Sequence, residues 1–255
     1  MRRAPAAQGQ IAAEWCNIDR WGSSSQSAAW NRLFRETFDE LRAAAPGTDR
    51  KSEKRARRLL DSLLDGFVSG PDGSRFVGLT SYLLAVAEQR LGRTNDAAWH
   101  WQMAQNLAPE LRRTPSDFPD VKPFLEAHLI PAERWELLAK RGRGAPIAEA
   151  LAPGGRSLDP QALKGKVVPP VSKRKVAPRY PEGAREHHLS GPTIIEVFID
   201  KEGFPREPAV YQGCGVTVLD IAAMDAVGQW RFEPASFEGQ PIEVWFYARV
   251  SFVRE

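Results

Sequence analysis

Cysteine is almost absent: Cys16 and Cys214 are the only two in 255 residues, and they lie far apart. That scarcity excludes a disulfide framework and a Cys-rich zinc site, so no metal is expected. One long-range bridge stays open beside the simpler reading of two independent thiols. Excess charge is also small, at +3. No global field draws the chain onto nucleic acid, and no nucleic-acid partner is expected. No run reaches the roughly 18 apolar residues of a membrane-spanning helix. The N-terminus, Met1-Arg2-Arg3-Ala4-Pro5-Ala6-Ala7-Gln8, is basic and then small. It resembles the two ends of a signal peptide without the apolar middle. Two readings stay open: a cytoplasmic chain, or a chain whose start lies upstream with a signal or anchor there. Gly-rich phosphate loops, nucleophile elbows and paired-carboxylate signatures are missing. No enzyme activity, catalytic residue or cofactor is therefore expected.

What is present divides the chain into two parts. Residues 1–25 are expected to be poorly ordered. Residues 26–140 read as an all-α domain, because helical spacings recur and strand alternation does not. Trp30, Leu33, Phe34, Thr37, Phe38 and Leu41 form one stripe, and Leu59, Leu60, Leu63, Leu64 and Phe67 form a second. Gly70-Pro71-Asp72-Gly73 is read as a break. Helices are then expected near 76–91, 95–107, 121–129 and 132–140. Gly92, Ala97, Ala104 and Pro109 recur at steps of five, seven and five, behind Leu84 and Ala85. Glycine permits a tight turn, the alanines allow close helix approach, Trp101 fills the space between, and Pro109 stops the second helix. The hairpin 76–109 resembles one tetratricopeptide repeat, a unit of about 34 residues. Trp99 and Trp135 are candidates to line a peptide groove on this domain; Trp101 reads as core.

Residues 141–178 read as a basic linker. Its prolines and glycines, from Gly142 to Pro170, are expected to preclude a long helix or sheet, and Lys164, Lys166, Lys173, Arg174 and Lys175 dominate its charge. Such a composition favours a semi-stiff extended spacer, open to early proteolysis.

From Tyr180 the period changes. Tyr180-Pro181 opens a short helix that ends at Gly191. Ile195, Val197 and Ile199 alternate with Glu196 and Phe198, which marks a half-buried strand. Pro192 is expected to delay its start. A turn at Asp200–Gly203 leads to a strand over 208–212. Thr217 and Asp220 read as a capping-box variant. The helix behind them buries Leu219, Ala222, Ala223, Ala226, Val227 and Trp230, with Trp230 expected against Phe246 or Val250. A turn at 237–240 precedes a last strand over 243–253. There Val244, Phe246, Ala248, Val250 and Phe252 face inward, and Glu243, Trp245, Tyr247, Arg249 and Ser251 face outward.

These landmarks carry a family resemblance. Tyr180, Pro181 and Ala184, then Gly191, Ile199-Asp200 and Gly203 stand in order. Leu219-Asp220, Trp230-Arg231-Phe232, Pro234-Ala235, and Gly239 with Pro241 complete the series. Residues 179–255 resemble the C-terminal domain of the TonB family. The resemblance implies an α+β module with a three-stranded antiparallel sheet and two helices. Its last strand would lie at an edge. An unprotected edge invites strand addition, and family members bind outer-membrane receptor segments in this way. The implied site is Glu243, Trp245, Tyr247, Arg249 and Ser251, and the implied partner is an envelope protein such as an outer-membrane receptor peptide. A homodimer through the same strand stays open. The expected function is a periplasmic, TonB-family binding protein, with energy-coupled transport across the outer membrane as its wider setting. The alternative is a structural envelope adaptor that binds peptidoglycan or a protein assembly without transport.

Blander readings accompany the remaining groups. His187-His188 reads as a solvated helix end, Asp220 as a cap, and Cys214 as an unreactive thiol without a His or Lys partner.

Overall fold

The structure is a computed structural model, and it describes residues 25–66, 70–141, 150–152, 156–157 and 167–253. Residues 1–24 of the segment expected to lack order, with Cys16, lie outside the described residues, as do Lys164 and Lys166, while Ser25 starts a helix. The chain divides into two compact units, Met1–Ile130 and Pro131–Glu255.

The first unit is helical. It contains α1 (Ser25–Ala43), α2 (Arg50–Asp65), α3 (Gly70–Arg90), α4 (Thr94–Leu107), a 3-10 turn at Pro109–Arg112, and α5 (Lys122–Ala127). The two apolar stripes meet in its core, where Phe34, Leu41, Leu59, Leu60 and Leu63 are fully buried. The break expected at Gly70-Pro71-Asp72-Gly73 does separate two helices but falls earlier: α2 ends at Asp65, and Gly70-Pro71 already forms the first turn of α3. A first-turn proline removes an N–H that has no intrahelical partner anyway. Helices α3 and α4 form an antiparallel hairpin around Gly92, whose φ is +76°. They approach closely at Gly78, where a Cβ would lie 2.9 Å from the Cβ of Ala108. The Trp101 indole is buried and donates to the Leu125 carbonyl at 2.9 Å.

The second unit begins earlier than the sequence suggested. Helix α6 (Ala132–Arg141), expected to close the helical domain, belongs to it. Short strands β1 (Ala150–Ala152), β2 (Arg156–Ser157), β3 (Val167–Val168) and β4 (Val171–Arg174) follow, then α7 (Glu182–Glu186). The main elements are β5 (Gly191–Ile199), β6 (Pro205–Gln212), α8 (Thr217–Gly228), β7 (Arg231–Glu233), β8 (Ala235–Phe237) and β9 (Gln240–Phe252).

The main sheet runs β2-β1-β9-β5-β6, with β8 also on β9 and β3 on β8, while β4 and β7 pair separately. It has more than the expected three strands, because parts of the Pro-rich segment pair into it. Extended backbone needs only small rotations to join an edge, so a polyproline-like composition does not bar short strands. Strand β5 is not delayed by Pro192, which stands opposite Ser251 near the strand start. Helix α8 covers one face of β5, β6 and β9. Beneath it lie Ile195, Val197, Ile199 and Ala248, all fully buried.

The turn after β5 is tightly built. The Asp200 carboxylate accepts the N–H groups of Glu202 and Phe204. Gly203 has φ +82°, and a Cβ there would sit 2.0 Å from the Phe232 carbonyl oxygen. Phe232 in turn donates its N–H to the Gly203 carbonyl at 3.0 Å. Gly203→Ala therefore combines left-handed strain with a backbone clash and should cost at least about 2 kcal/mol. Chemical denaturation would check it, and an unchanged midpoint would show that this turn relaxes freely.

Candidate partner-binding edge

Strand β9 is paired along one side with β5, from Gly191 opposite Phe252 to Ile199 opposite Val244. Its other side is shared. Strand β8 pairs with residues Gln240 to Ile242, and β1 pairs with Glu243 and Val244. The expectation of a wholly free edge is thus corrected: Glu243 already faces a strand of this chain. From Phe246 to Phe252 no strand occupies that side among the described residues.

The turn sets which N–H groups point outward. Glu238 and Gly239 have φ of +50° and +80°, the signature of a two-residue type I′ hairpin. Such a turn makes its flanking residues, Phe237 and Gln240, a hydrogen-bonded pair. Pairing of β9 with β5 and β8 shows no register shift. Alternation therefore directs the N–H and C=O groups of Phe246, Ala248, Val250 and Phe252 to the free side. Those of Trp245, Tyr247, Arg249 and Ser251 go to β5.

The face away from α8 is not simply solvated. Glu196 stands opposite Tyr247, and Phe198 opposite Trp245, so these four share it. Arg134 of α6 reaches into them. Its guanidinium carbon lies 3.8 Å from the centre of the Trp245 ring, and its Nη2 donates to Glu196 Oε2 at 2.6 Å. The Tyr247 hydroxyl donates to the other Glu196 oxygen at 3.3 Å. Glu196 is only 1% exposed. Phe198 packs on Trp245 with ring centres 5.0 Å apart, and Tyr211 on Tyr247 at 4.8 Å. Trp245 and Tyr247 are consequently half-buried, whereas Arg249 and Ser251 are exposed.

A second carboxylate, Glu207, is 3.8 Å from Arg134 Nε, which is an ion pair but too long for a hydrogen bond. Among the described residues Arg134 Nε and Nη1 have no hydrogen-bond partner. Burial pushes the Glu207 carboxyl above its ordinary range, and Glu243 and Glu196 add repulsion, against the pull of Arg134. Sequence reading missed Arg134, Glu196 and Glu207 as a group. Glu196 showed only as a polar residue in an alternating strand, and nothing local ties Arg134 to it.

The order Tyr-Pro, Ile-Asp-turn-Gly, Leu-Asp and Trp-Arg-Phe maps onto α7, β5, α8 and β7 of one sheet-and-helix module. Residues 176–253 match the family model described as Gram-negative bacterial TonB protein C-terminal. The second unit carries a TonB C-terminal domain. The chain is similar to "Protein TonB" of Vibrio cholerae serotype O1, with 29% identity over 87 residues, covering 34% of this chain and 36% of that protein. It is also similar to "Protein tonB2" of Pseudomonas aeruginosa, with 32% identity over 76 residues, covering 30% and 28% respectively. The chain thus spans about a third of the length of the relatives it matches.

Other sequence candidates fall differently around the TonB domain. Trp99 is 2% exposed and so cannot line an open groove. Trp135 lies on α6 in the second unit, so it does not belong to the helical domain. Trp230 lies tilted against Phe232 with ring centres 6.3 Å apart and donates to the Val176 carbonyl at 2.9 Å, while the ring contact of Phe246 is with Phe232. Asp220 does not close a capping box. The N-cap position is Val216, without a side-chain cap, and the Asp220 carboxylate instead accepts from Thr193 Oγ1 at 2.6 Å and the Cys214 N–H at 3.0 Å. His187 and His188 are exposed just past α7. Among the described residues no group of three His, Cys, Asp or Glu is placed to hold a metal, and no helix is long and apolar enough to cross a membrane.

Burial raises the Cys214 thiol above its ordinary pKa, and the nearby Asp220 carboxylate adds to the rise, against hydrogen bonding with Thr193 and Val216. A raised pKa means less thiolate at neutral pH, and the thiolate is the nucleophile. Alkylation of Cys214 by iodoacetamide at pH 7.5 should be several-fold slower than that of a small thiol, and should accelerate as pH rises above the usual thiol range. Peptide mapping would measure it; a rate matching the free thiol would refute the assignment.

Proposed function

We propose that this protein is a TonB-family periplasmic binding protein that captures an extended segment of an envelope partner, such as an outer-membrane receptor, by strand addition on β9. The reading is carried by the open side of β9 from Phe246 to Phe252, with its alternate backbone groups pointing outward. Main-chain hydrogen bonds would supply affinity, while Tyr247, Arg249 and Ser251 lie on the sheet face beside the incoming strand. Trp245 contributes less directly, because Arg134 covers its ring. The helical unit, with its tetratricopeptide-like hairpin, would recruit a second protein. Energy-coupled transport across the outer membrane is the wider role this reading implies.

Hydrogen exchange tests the proposal. The full chain is mixed with synthetic copies of the N-terminal extended segments of outer-membrane receptors from the same cell. A binding peptide should slow exchange at Phe246, Ala248, Val250 and Phe252, and leave Tyr247 and Arg249 as they were. Protection that appears without peptide and grows with protein concentration would indicate a homodimer through this strand. Binding with no protection along β9 would reject strand addition, and binding of isolated peptidoglycan alone would favour the adaptor role.

A further inference from the structure

The open side of β9 does not begin where the strand begins. Strand β1, from the segment just upstream of the TonB domain, lies antiparallel on it with Ala150 opposite Val244 and Leu151 opposite Glu243. Strand β2 extends this on the far side, with Leu151 opposite Ser157. By the alternation set at the hairpin, the N–H and C=O of Val244 point toward β1, so Ala150 takes the place that a partner residue would take. The helix immediately before β1 is itself fixed. Arg134 of α6 is locked between Glu196 and the Trp245 ring, on the same strands that build the edge. A segment held at one end by a buried ion pair is presented to the edge at a high effective concentration.

We infer that α6 and β1 form a self-occluding clasp on the docking edge: the chain's own strand competes with the partner strand, and release of β1 extends the usable edge from Phe246 back to Val244. The inference rests on the strand-capture reading and adds its regulation. Phe246, Ala248, Val250 and Phe252 are available with the clasp closed. A partner long enough to reach Val244 must displace Ala150. That exchange trades an intramolecular pair for an intermolecular one, so a fixed clasp weakens long partners and leaves short ones unaffected. Loosening Arg134 weakens the anchor and has the opposite effect.

A reversible lock tests it. In the full chain with Cys16→Ser and Cys214→Ser, Leu151→Cys and Glu243→Cys are combined. These two residues face each other at a non-hydrogen-bonded position of the β1–β9 pair, where Cα atoms stand about 4.5 Å apart, close enough for a disulfide. The receptor-segment peptides described above are titrated against the oxidised and reduced forms, and against Ala150→Pro, which removes the N–H that β1 directs at β9. A long peptide should bind the oxidised form about tenfold more weakly than the reduced form, the value of roughly one to two backbone hydrogen bonds. Ala150→Pro should bind it at least as tightly as the reduced form. A peptide trimmed to face only Phe246 to Phe252 should not distinguish them. Equal affinity of a long peptide for the oxidised and reduced forms, or failure of the disulfide to form, overturns the clasp while leaving strand capture intact. No binding to any form, Ala150→Pro included, overturns strand capture and the clasp with it.

Discussion

Ala248→Pro should abolish capture of an extended peptide while leaving the chain folded, with affinity falling at least about 10–100-fold. Ala248 directs its N–H to the open side of β9, so proline removes a donor the partner needs and none that β5 uses. Its ring also obstructs the approach of the incoming backbone. Tyr247→Pro should do the reverse. Tyr247 stands opposite Glu196 and directs its N–H to β5, and its hydroxyl donates to the Glu196 carboxylate. Proline there breaks the central ladder and strips a buried carboxylate of one donor, so the TonB domain should unfold at lower denaturant. Because Ala248 is fully buried beneath α8, Val250→Pro serves as a size-matched second edge variant, also directed outward. Calorimetry with a binding peptide, beside circular dichroism of each variant, reads both effects. Wild-type affinity in folded Ala248→Pro and Val250→Pro would remove this edge from consideration.

Arg134→Ala should destabilise the second unit by about 3–5 kcal/mol, the usual cost of leaving a buried charge without its partner. Arg134 and Glu196 side chains are only 4% and 2% exposed, so little solvent screening applies to the pair. The loss also removes the cation from the face of Trp245 and the attraction that opposes the repulsion of Glu207 by Glu243 and Glu196. Arg134→Met combined with Glu196→Gln should recover most of the stability, because it removes both charges and keeps the volume. Exchange rates of the β5 and β9 amides in the full chain would report each variant. If Arg134→Ala leaves them unchanged, α6 is not an integral part of this unit. For the same reason a fragment starting at residue 165 should be less stable than one starting at Pro131.

Where sequence patterns were local, they read clearly. The stripe on α8, the alternation in β5 and β9, and the turn glycines each depend on residues within a few positions of one another, so periodicity and backbone sterics expose them. The Gly70-Pro71 break was read a few residues late because proline has the same local signature at a helix start as at a helix stop. The cap at Asp220 misled because its carboxylate is used by Thr193, which is remote in sequence and close only after folding.

The sequence by itself determined the helical character of the first unit, the order α7, β5, β6, α8 and β9 within the TonB domain, and the inward face of β9. Each follows from hydrophobic spacing that any chain with this pattern must bury. Only the tertiary structure decided that α6 belongs with the sheet, that Arg134 and Glu196 pair across 62 positions, that β1 pairs with Glu243 and Val244 of β9, and which side of β9 each N–H faces. Pairing across such separations is set by which surfaces meet when the chain closes its loops, and local composition carries no record of it.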